Sequence, residues 1–186
     1  MILKSKLSNK YPIADLKYLS GNKEGLDPVF AGRLSALARD KKVVVFVTSG
    51  YRSTAEQEKL YNLCRAGKLR SASKPGLSWH EFRLAVDTSI QPIRGMGNDK
   101  LKKYGLCKPI SYEGWHIQPI ETNGKTNRKQ FEPEIVKEEV VMPEITVEEA
   151  RKIVKEKARL SDDTIQYLMF YEYDDELIVK LAKAMM

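Results

Sequence analysis

Residues 43–57 read VVVFVTSGYRSTAEQ, and three local signals meet in this one stretch. The run from Val43 to Ser49 is β-branched and aromatic without interruption, the pattern of a strand buried on both faces. Gly50 ends it. Ser53 and Glu56 then stand at the spacing of a capping box, with the Ser53 hydroxyl accepting from the third backbone N–H and the Glu56 carboxylate reaching back. The helix they open is expected to run to Ala66 and to stop at Gly67. A strand, a short polar turn and a capped helix therefore follow one another, with Tyr51 and Arg52 at the turn.

Upstream, Val29, Phe30, Leu34, Leu37 and Ala38 share one helical face, and Asp27 before Pro28 supplies a cap with proline at the first helical position. Downstream, residues 68–79 are rich in Ser, Lys, Pro and Gly and read as a loop. Leu84–Ile90 alternates as a half-buried strand, Asn98–Leu106 reads as a short helix, and Trp115–Ile120 reads as a strand with His116 and Gln118 on one face. Helices interspersed with short, non-repeating strands give an α+β domain over residues 1–125. Residues 126–145, with Pro133 and Pro143 and no clear period, are the expected linker. Thr146 and Glu149 then form a second capping box. Three short helices are expected over 146–186: one with a stripe of Val147, Ala150, Val154 and Ala158, one capped by Ser161 with Ile165, Leu168 and Met169, and one capped by Asp174 with Leu177, Ile178, Leu181, Ala182 and Met185. A core this small is marginal alone, so the module is expected to pack on the main domain, to form a homo-oligomer through these helices or to bind a partner.

The whole chain has 186 residues, 42% of them apolar and 31% charged, the composition of a folded globular protein. No apolar run approaches the roughly 18 residues that a membrane span needs. The N-terminus lacks the apolar core of an export signal, so synthesis in the cytoplasm is expected. Cys64 and Cys107 form no CxxC pair and read as free thiols. Residues 1–132 hold 24 Lys and Arg against 12 Asp and Glu, while residues 133–186 hold 8 against 13. The first segment thus carries +12 and should be drawn to a polyanion, whether nucleic acid, an anionic cell wall or a membrane surface.

Only two histidines occur, His80 and His116, and each sits beside a tryptophan. Asp87 lies seven residues beyond the first, and Glu113 three residues before the second. Two imidazoles and a carboxylate make a ligand set for zinc with one position left for water, whose pKa a zinc ion lowers to about 7. A further carboxylate, Glu113, is placed to take the proton and pass it to the leaving amine. Each residue also has an ordinary structural reading: a packed histidine, a turn-capping aspartate, a solvated loop glutamate. Position 84 is leucine, so the HExxH pattern is absent.

Taken in order, the motifs resemble the D-Ala-D-Ala metallopeptidase branch of the LAS zinc peptidases, which contains VanY-type carboxypeptidases and L-alanyl-D-glutamate endopeptidases, endolysins among them. The first part is Ser49-Gly50-Tyr51-Arg52-Ser53 with Gln57 following. The second is Ser78, His80, Ala85 and Asp87 in S-x-H-x-x-G-x-A-x-D. The third is Glu113 followed by His116. The match covers residues 26–120. It implies a small antiparallel sheet with flanking helices holding Zn2+ on His80, Asp87 and His116. It implies Glu113 as general base and acid, and Arg52 as the donor to the scissile carbonyl and its oxyanion. Ser78 and Gln57 are implied as substrate contacts. One position departs from the pattern: the family glycine is Arg83 here. Glycine at such a place serves a tight backbone or a close approach, so Arg83 bears on the loop's shape or on substrate fit, or adds a cationic contact for an acidic substrate.

The substrate implied is peptidoglycan, with the L-Ala-D-Glu bond expected over the terminal D-Ala-D-Ala bond and action on the wall after release from the cell. The alternatives are a D-alanyl-D-alanine carboxypeptidase and a non-catalytic, zinc-containing wall-binding domain. Nucleic-acid binding through Lys41, Lys42, Lys100, Lys102 and Lys103 has no recognised motif behind it and is not expected.

Overall fold

Asp27 sets the start of the first helix, as its position before Pro28 predicts. In the computed structural model, which describes residues 2–136, 145–168 and 174–186, its Oδ1 accepts from the backbone N–H of Val29 and of Phe30, both at 3.0 Å. The helix, α1, runs Pro28–Asp40. Capping of this kind is worth about 1 kcal/mol. Its buried face carries Phe30, Leu34 and Leu37, and each such side chain gains about 2 kcal/mol by leaving water.

The described strands are β1 Ile2–Lys4, β2 Leu19–Gly21, β3 Val45–Ser49, β4 Val86–Thr88, β5 Leu106–Cys107, β6 His116–Pro119 and β7 Glu134–Val136. Five of them form one sheet in the order β2-β3-β4-β6-β5. It is antiparallel from β3 to β5, and one edge pair, β2 with β3, is parallel. The other two, β1 and β7, pair antiparallel by themselves, with Ile2 opposite Val136. The core is built from α1 and the inward residues of the large sheet, Val45, Val47, Val86, Leu106 and Ile117, with Leu84 just ahead of β4, all of them buried.

The double-sided burial expected of residues 43–49 does not occur. Val45 and Val47 are fully buried, whereas Val44 and Phe46 are 52% and 47% exposed. β3 alternates like any half-buried strand; the unbroken apolar run masked that alternation. The second helix, α2, spans Thr54–Arg65, with both halves of the Ser53–Glu56 capping box formed and Gly67 at φ 72° beyond its end. The helix expected from Asn98 is shorter than predicted: α3 is Asn98–Leu101, a 3-10 turn covers Lys102–Tyr104, and β5 begins at Leu106.

A buried ion pair ties this unit together. Arg33, in the middle of α1 and inaccessible to solvent, donates to both carboxylate oxygens of Glu121 at 2.7 and 2.8 Å and to the Gly105 carbonyl at 3.0 Å. It also donates to the Ser8 carbonyl and stacks 4.6 Å over the Tyr11 ring. The terminal nitrogens are thus well partnered, as a buried guanidinium requires, and Nε alone is buried without a hydrogen bond.

The chain divides into two compact units, Met1–Lys137 and Glu138–Met186. Phe131 packs on the first unit's core and β7 pairs with β1, both within the stretch expected to be linker; Pro143 lies outside the described residues. In the second unit α4 spans Val147–Ala158, α5 Asp162–Leu168 and α6 Asp174–Met185. The Thr146–Glu149 capping box is formed, and Ser161 Oγ accepts from the Thr164 N–H at 3.2 Å. Ala150, Val154, Ile178 and Ala182 are its buried core. Ala158 and Leu177, expected on the apolar stripes, are exposed, because the α4–α6 contact turns Ile153 and Val179 inward instead. Met169 and the side chains of Leu168 and Asp174 lie outside the described residues.

Candidate active site

The turn after β3 organises one end of the sheet. A Cβ on Gly50 would stand 2.0 Å from the Asn22 carbonyl oxygen, so glycine alone fits. The Gly50 carbonyl lies 2.8 Å from Nδ1 of His80, and the Arg52 N–H donates to the His80 carbonyl at 3.2 Å. Nδ1–H of His80 therefore points to a backbone acceptor and Nε2 is left bare, the tautomer that a metal requires.

Cross-strand register supplies the other two groups. Asp87 on β4 stands opposite Ser49 on β3 and opposite His116 on β6. Asp87 Oδ1 is 3.0 Å from Nδ1 of His116, Oδ2 is 3.5 Å from Nε2 of His80, and the two imidazole centroids are 5.1 Å apart. All three donor atoms lie within 4.8 Å of one another. Burial pushes the Asp87 carboxyl up, whereas His116 and His80, when the nitrogens facing it carry protons, outweigh burial and hold it far below the usual carboxylate range.

Gln118 and Thr122 were not singled out as site residues, yet they fix His116. The Gln118 amide lies 2.8 Å from Nε2 of His116 and 3.0 Å from the Thr122 hydroxyl, which is itself 2.8 Å from the Pro119 carbonyl. A hydroxyl has one proton. As placed, Gln118 Nε2 faces Nε2 of His116 and the Thr122 hydroxyl donates to Gln118 Oε1; turning the amide over, with the Thr122 proton given to the Pro119 carbonyl, lets the Gln118 NH2 group donate to Thr122 and the Gln118 oxygen accept from Nε2–H of His116. Nδ1 is bare in that arrangement and faces the Asp87 carboxylate, two acceptors that a cation between them would satisfy. The signal for Gln118 was its place two residues after His116 on a strand, hence on the same face. The donor types, their 3.0–3.5 Å separations and the outer partner on each imidazole fit zinc.

These groups open into a cleft of about 660 Å³ lined by all seven residues read from sequence: Arg52, Gln57, Ser78, His80, Asp87, Glu113 and His116. Arg52 donates to Ser49 Oγ at 2.8 Å and to Gln57 Oε1 at 2.6 Å, and Gln57 Nε2 donates to the Ser73 carbonyl at 2.7 Å. Both ends of the Gln57 amide are thus engaged within the protein, where they aim the guanidinium. Burial lowers the pKa of Arg52, with the carboxylates of Asp87, Glu56 and Glu81 opposing. The Glu81 carboxylate accepts from the N–H groups of Gly76 and Ser78 and anchors that loop.

Arg83 sits at φ 66°, the left-handed region that favours glycine. Its guanidinium donates to the Gly25 carbonyl at 2.7 Å and stacks on Tyr51, and it does not line the cleft. Arg83 therefore adds no cation to the cleft.

Residues 30–104 match the family model described as VanY: D-alanyl-D-alanine carboxypeptidase. A curated relative, the peptidoglycan L-alanyl-D-glutamate endopeptidase CwlK of Bacillus subtilis (strain 168), is 36% identical over 67 residues, which are 35% of this chain and 40% of that protein. The chain thus spans two fifths of the length of the relative it matches. Among solved structures, VanYB in complex with D-Ala-D-Ala aligns at a TM-score of 0.43 and 22% identity over 64% of this chain and 85% of the other. The LdcB LD-carboxypeptidase aligns at 0.41 and 20% over 67% and 83%. Of the candidate site residues, Arg52, Gln57, Ser78, His80 and Asp87 fall inside the matched stretch, and Glu113 and His116 lie beyond it.

Proposed function

We propose that the chain is a zinc-dependent hydrolase of peptidoglycan stem peptides, cutting the L-Ala-D-Glu bond, and that it reaches the wall in the manner of an endolysin. The observation that carries this reading is the convergence of His80, Asp87 and His116 within 4.8 Å in a cleft that also holds Glu113 and Arg52. The name of the CwlK relative supports the bond assigned. The description of the matching family model favours a second reading, removal of the terminal D-Ala.

Zinc held by His80 Nε2, the Asp87 carboxylate and His116 Nδ1 would polarise the scissile carbonyl and make water nucleophilic at neutral pH. The rest belongs to the chain. Glu113 takes the proton from the attacking water and returns it to the departing amine. Arg52, held by Ser49 and Gln57, donates to the oxygen on which negative charge grows, so its interaction strengthens in the transition state. Ser78 borders the same cleft and is assigned to the peptide backbone. The helical unit is assigned to wall contact or self-association.

Mass spectrometry of fragments released from purified peptidoglycan tests this reading. New N-terminal D-Glu, lost with a chelator and restored by zinc, is the expected result. Free D-alanine alone would move the chain to the carboxypeptidase reading. Intact stem peptides from several wall types would overturn both.

A further inference from the structure

The cleft has more positive charge than the proposed chemistry uses. Besides Arg52 it is lined by Arg70, Lys125 and Arg128, against only two carboxylates, Asp87 and Glu113, both already assigned. Among the described residues none of these three cations is paired with an acid. Arg70 stands 5.8 Å over the Tyr112 ring and Arg128 5.3 Å over the Trp79 ring. Stacking holds a guanidinium plane in place while leaving its N–H edge free for a planar acceptor. Arg128 spends one donor on the Thr126 carbonyl, and its Nε is buried without a hydrogen-bond partner. A buried donor left open at a cleft wall is a cost that a bound acceptor removes.

We propose that Arg70, Lys125 and Arg128 form an anion subsite that takes a free carboxylate of the substrate, carried on the same carbon as the nitrogen of the scissile amide. The inference rests on the hydrolase reading for its substrate class, and both bonds considered there share this chemistry. In L-Ala-γ-D-Glu the α-carboxylate of glutamate is free because the chain continues through its side chain. In a terminal D-Ala-D-Ala the C-terminal carboxylate occupies the equivalent place. Arg52 is held by Ser49 and Gln57 for the carbonyl oxygen, so the carboxylate falls to the three cations that have no other anion. Arg70 lies within the stretch that matches the family model, and Lys125 and Arg128 lie beyond it.

The test uses three peptides: L-Ala-γ-D-Glu-L-Lys-D-Ala-D-Ala, the same peptide amidated at the glutamate α-carboxyl, and the same peptide amidated at its C-terminus. Binding is measured by calorimetry on the full-length, zinc-supplemented Glu113→Gln chain, where turnover does not interfere. One of the two amides should bind at least tenfold more weakly than the free acid, and which one it is identifies the source of the carboxylate. Combined R70Q, K125Q and R128Q substitutions should abolish that preference, with single R128Q and R70Q variants each reducing it should the triple variant not fold. Equal binding of all three peptides, a preference that survives the substitutions, or no binding of the free acid would overturn the subsite. Cleavage of the free acid by the unsubstituted chain is followed separately with and without zinc. Discrimination without cleavage would sink the hydrolase reading and leave the subsite standing.

Discussion

The Arg83 guanidinium stacks 3.8 Å over the ring of Tyr51 while its own backbone sits at φ 66°. The two facts oppose each other energetically. A left-handed conformation costs a non-glycine residue about 1–2 kcal/mol, and a half-buried cation–π contact returns a similar amount. Arg83→Ala keeps the cost and loses the return, whereas Arg83→Gly loses both. The glycine variant should therefore be the more stable of the two by about 1 kcal/mol in urea unfolding. The reverse order, normal for residues of ordinary φ, would refute a strained backbone here.

The Gln118 amide should matter to metal affinity without touching the metal. Gln118→Leu removes the acceptor for Nε2–H of His116, and loss of such an outer partner typically weakens binding 10- to 100-fold. Zinc titration calorimetry measures this. The apo protein offers a second readout, since nitrogen NMR distinguishes the two imidazole tautomers. In Gln118→Leu the His116 proton should shift from Nε2 towards Nδ1, and an unchanged tautomer would place the control elsewhere.

The Arg33–Glu121 pair predicts an acid-sensitive fold. Burial raises the Glu121 pKa, but the hydrogen bonds and charge of Arg33 outweigh it, so the folded value lies below the ordinary carboxylate value. A depressed carboxyl stabilises the fold above about pH 4.3 and loses that contribution as pH falls through the folded value. Glu121→Gln should cost about 3 kcal/mol at neutral pH, because it strands a buried guanidinium. It should also flatten the decline of stability below that pH. A variant whose acid limb matches the parent would exclude this pair as the cause.

Cys107 should be inert. Burial pushes its thiol up to about 12, with the nearby Glu121 carboxylate adding to the rise, and the thiolate is the nucleophile. Iodoacetamide at pH 8 should leave Cys107 unmodified in the folded chain and label it once the chain is unfolded in urea. Labelling at equal rates in both states would contradict its burial.

Much of the site was legible because it depends on short spacings. Asp27, Ser53 and Thr146 announce helix starts by residue type alone, and His80, Asp87, Glu113 and His116 could be placed from three ordered motifs. What sequence obscured was either non-local or conformational. Val44 and Phe46 look like core residues, and only the partner layers decide which side of β3 is covered. Nothing in the identity of Arg83 reports a positive φ. Leu177 and Ala158 fit an apolar stripe whose edge is set by how α4 meets α6. The pairing of β1 with β7 joins three-residue strands too short to show a period. The Gln118–Thr122 relay was within reach, since both positions follow His116 closely, but the motif drew attention to the histidine alone.

That β1–β7 pairing has a consequence for the order of events during synthesis. Ile2 is synthesised before α1, β3 and α2, and its partner Val136 long after them. At roughly 5–20 residues per second, the leading strand waits for several seconds without its ladder. Glu113, His116, Lys125 and Arg128 emerge during that same interval, so the chemistry and the clasp are completed together. A nascent chain halted before Glu134 would carry every metal-binding candidate and still lack the strand that secures its beginning.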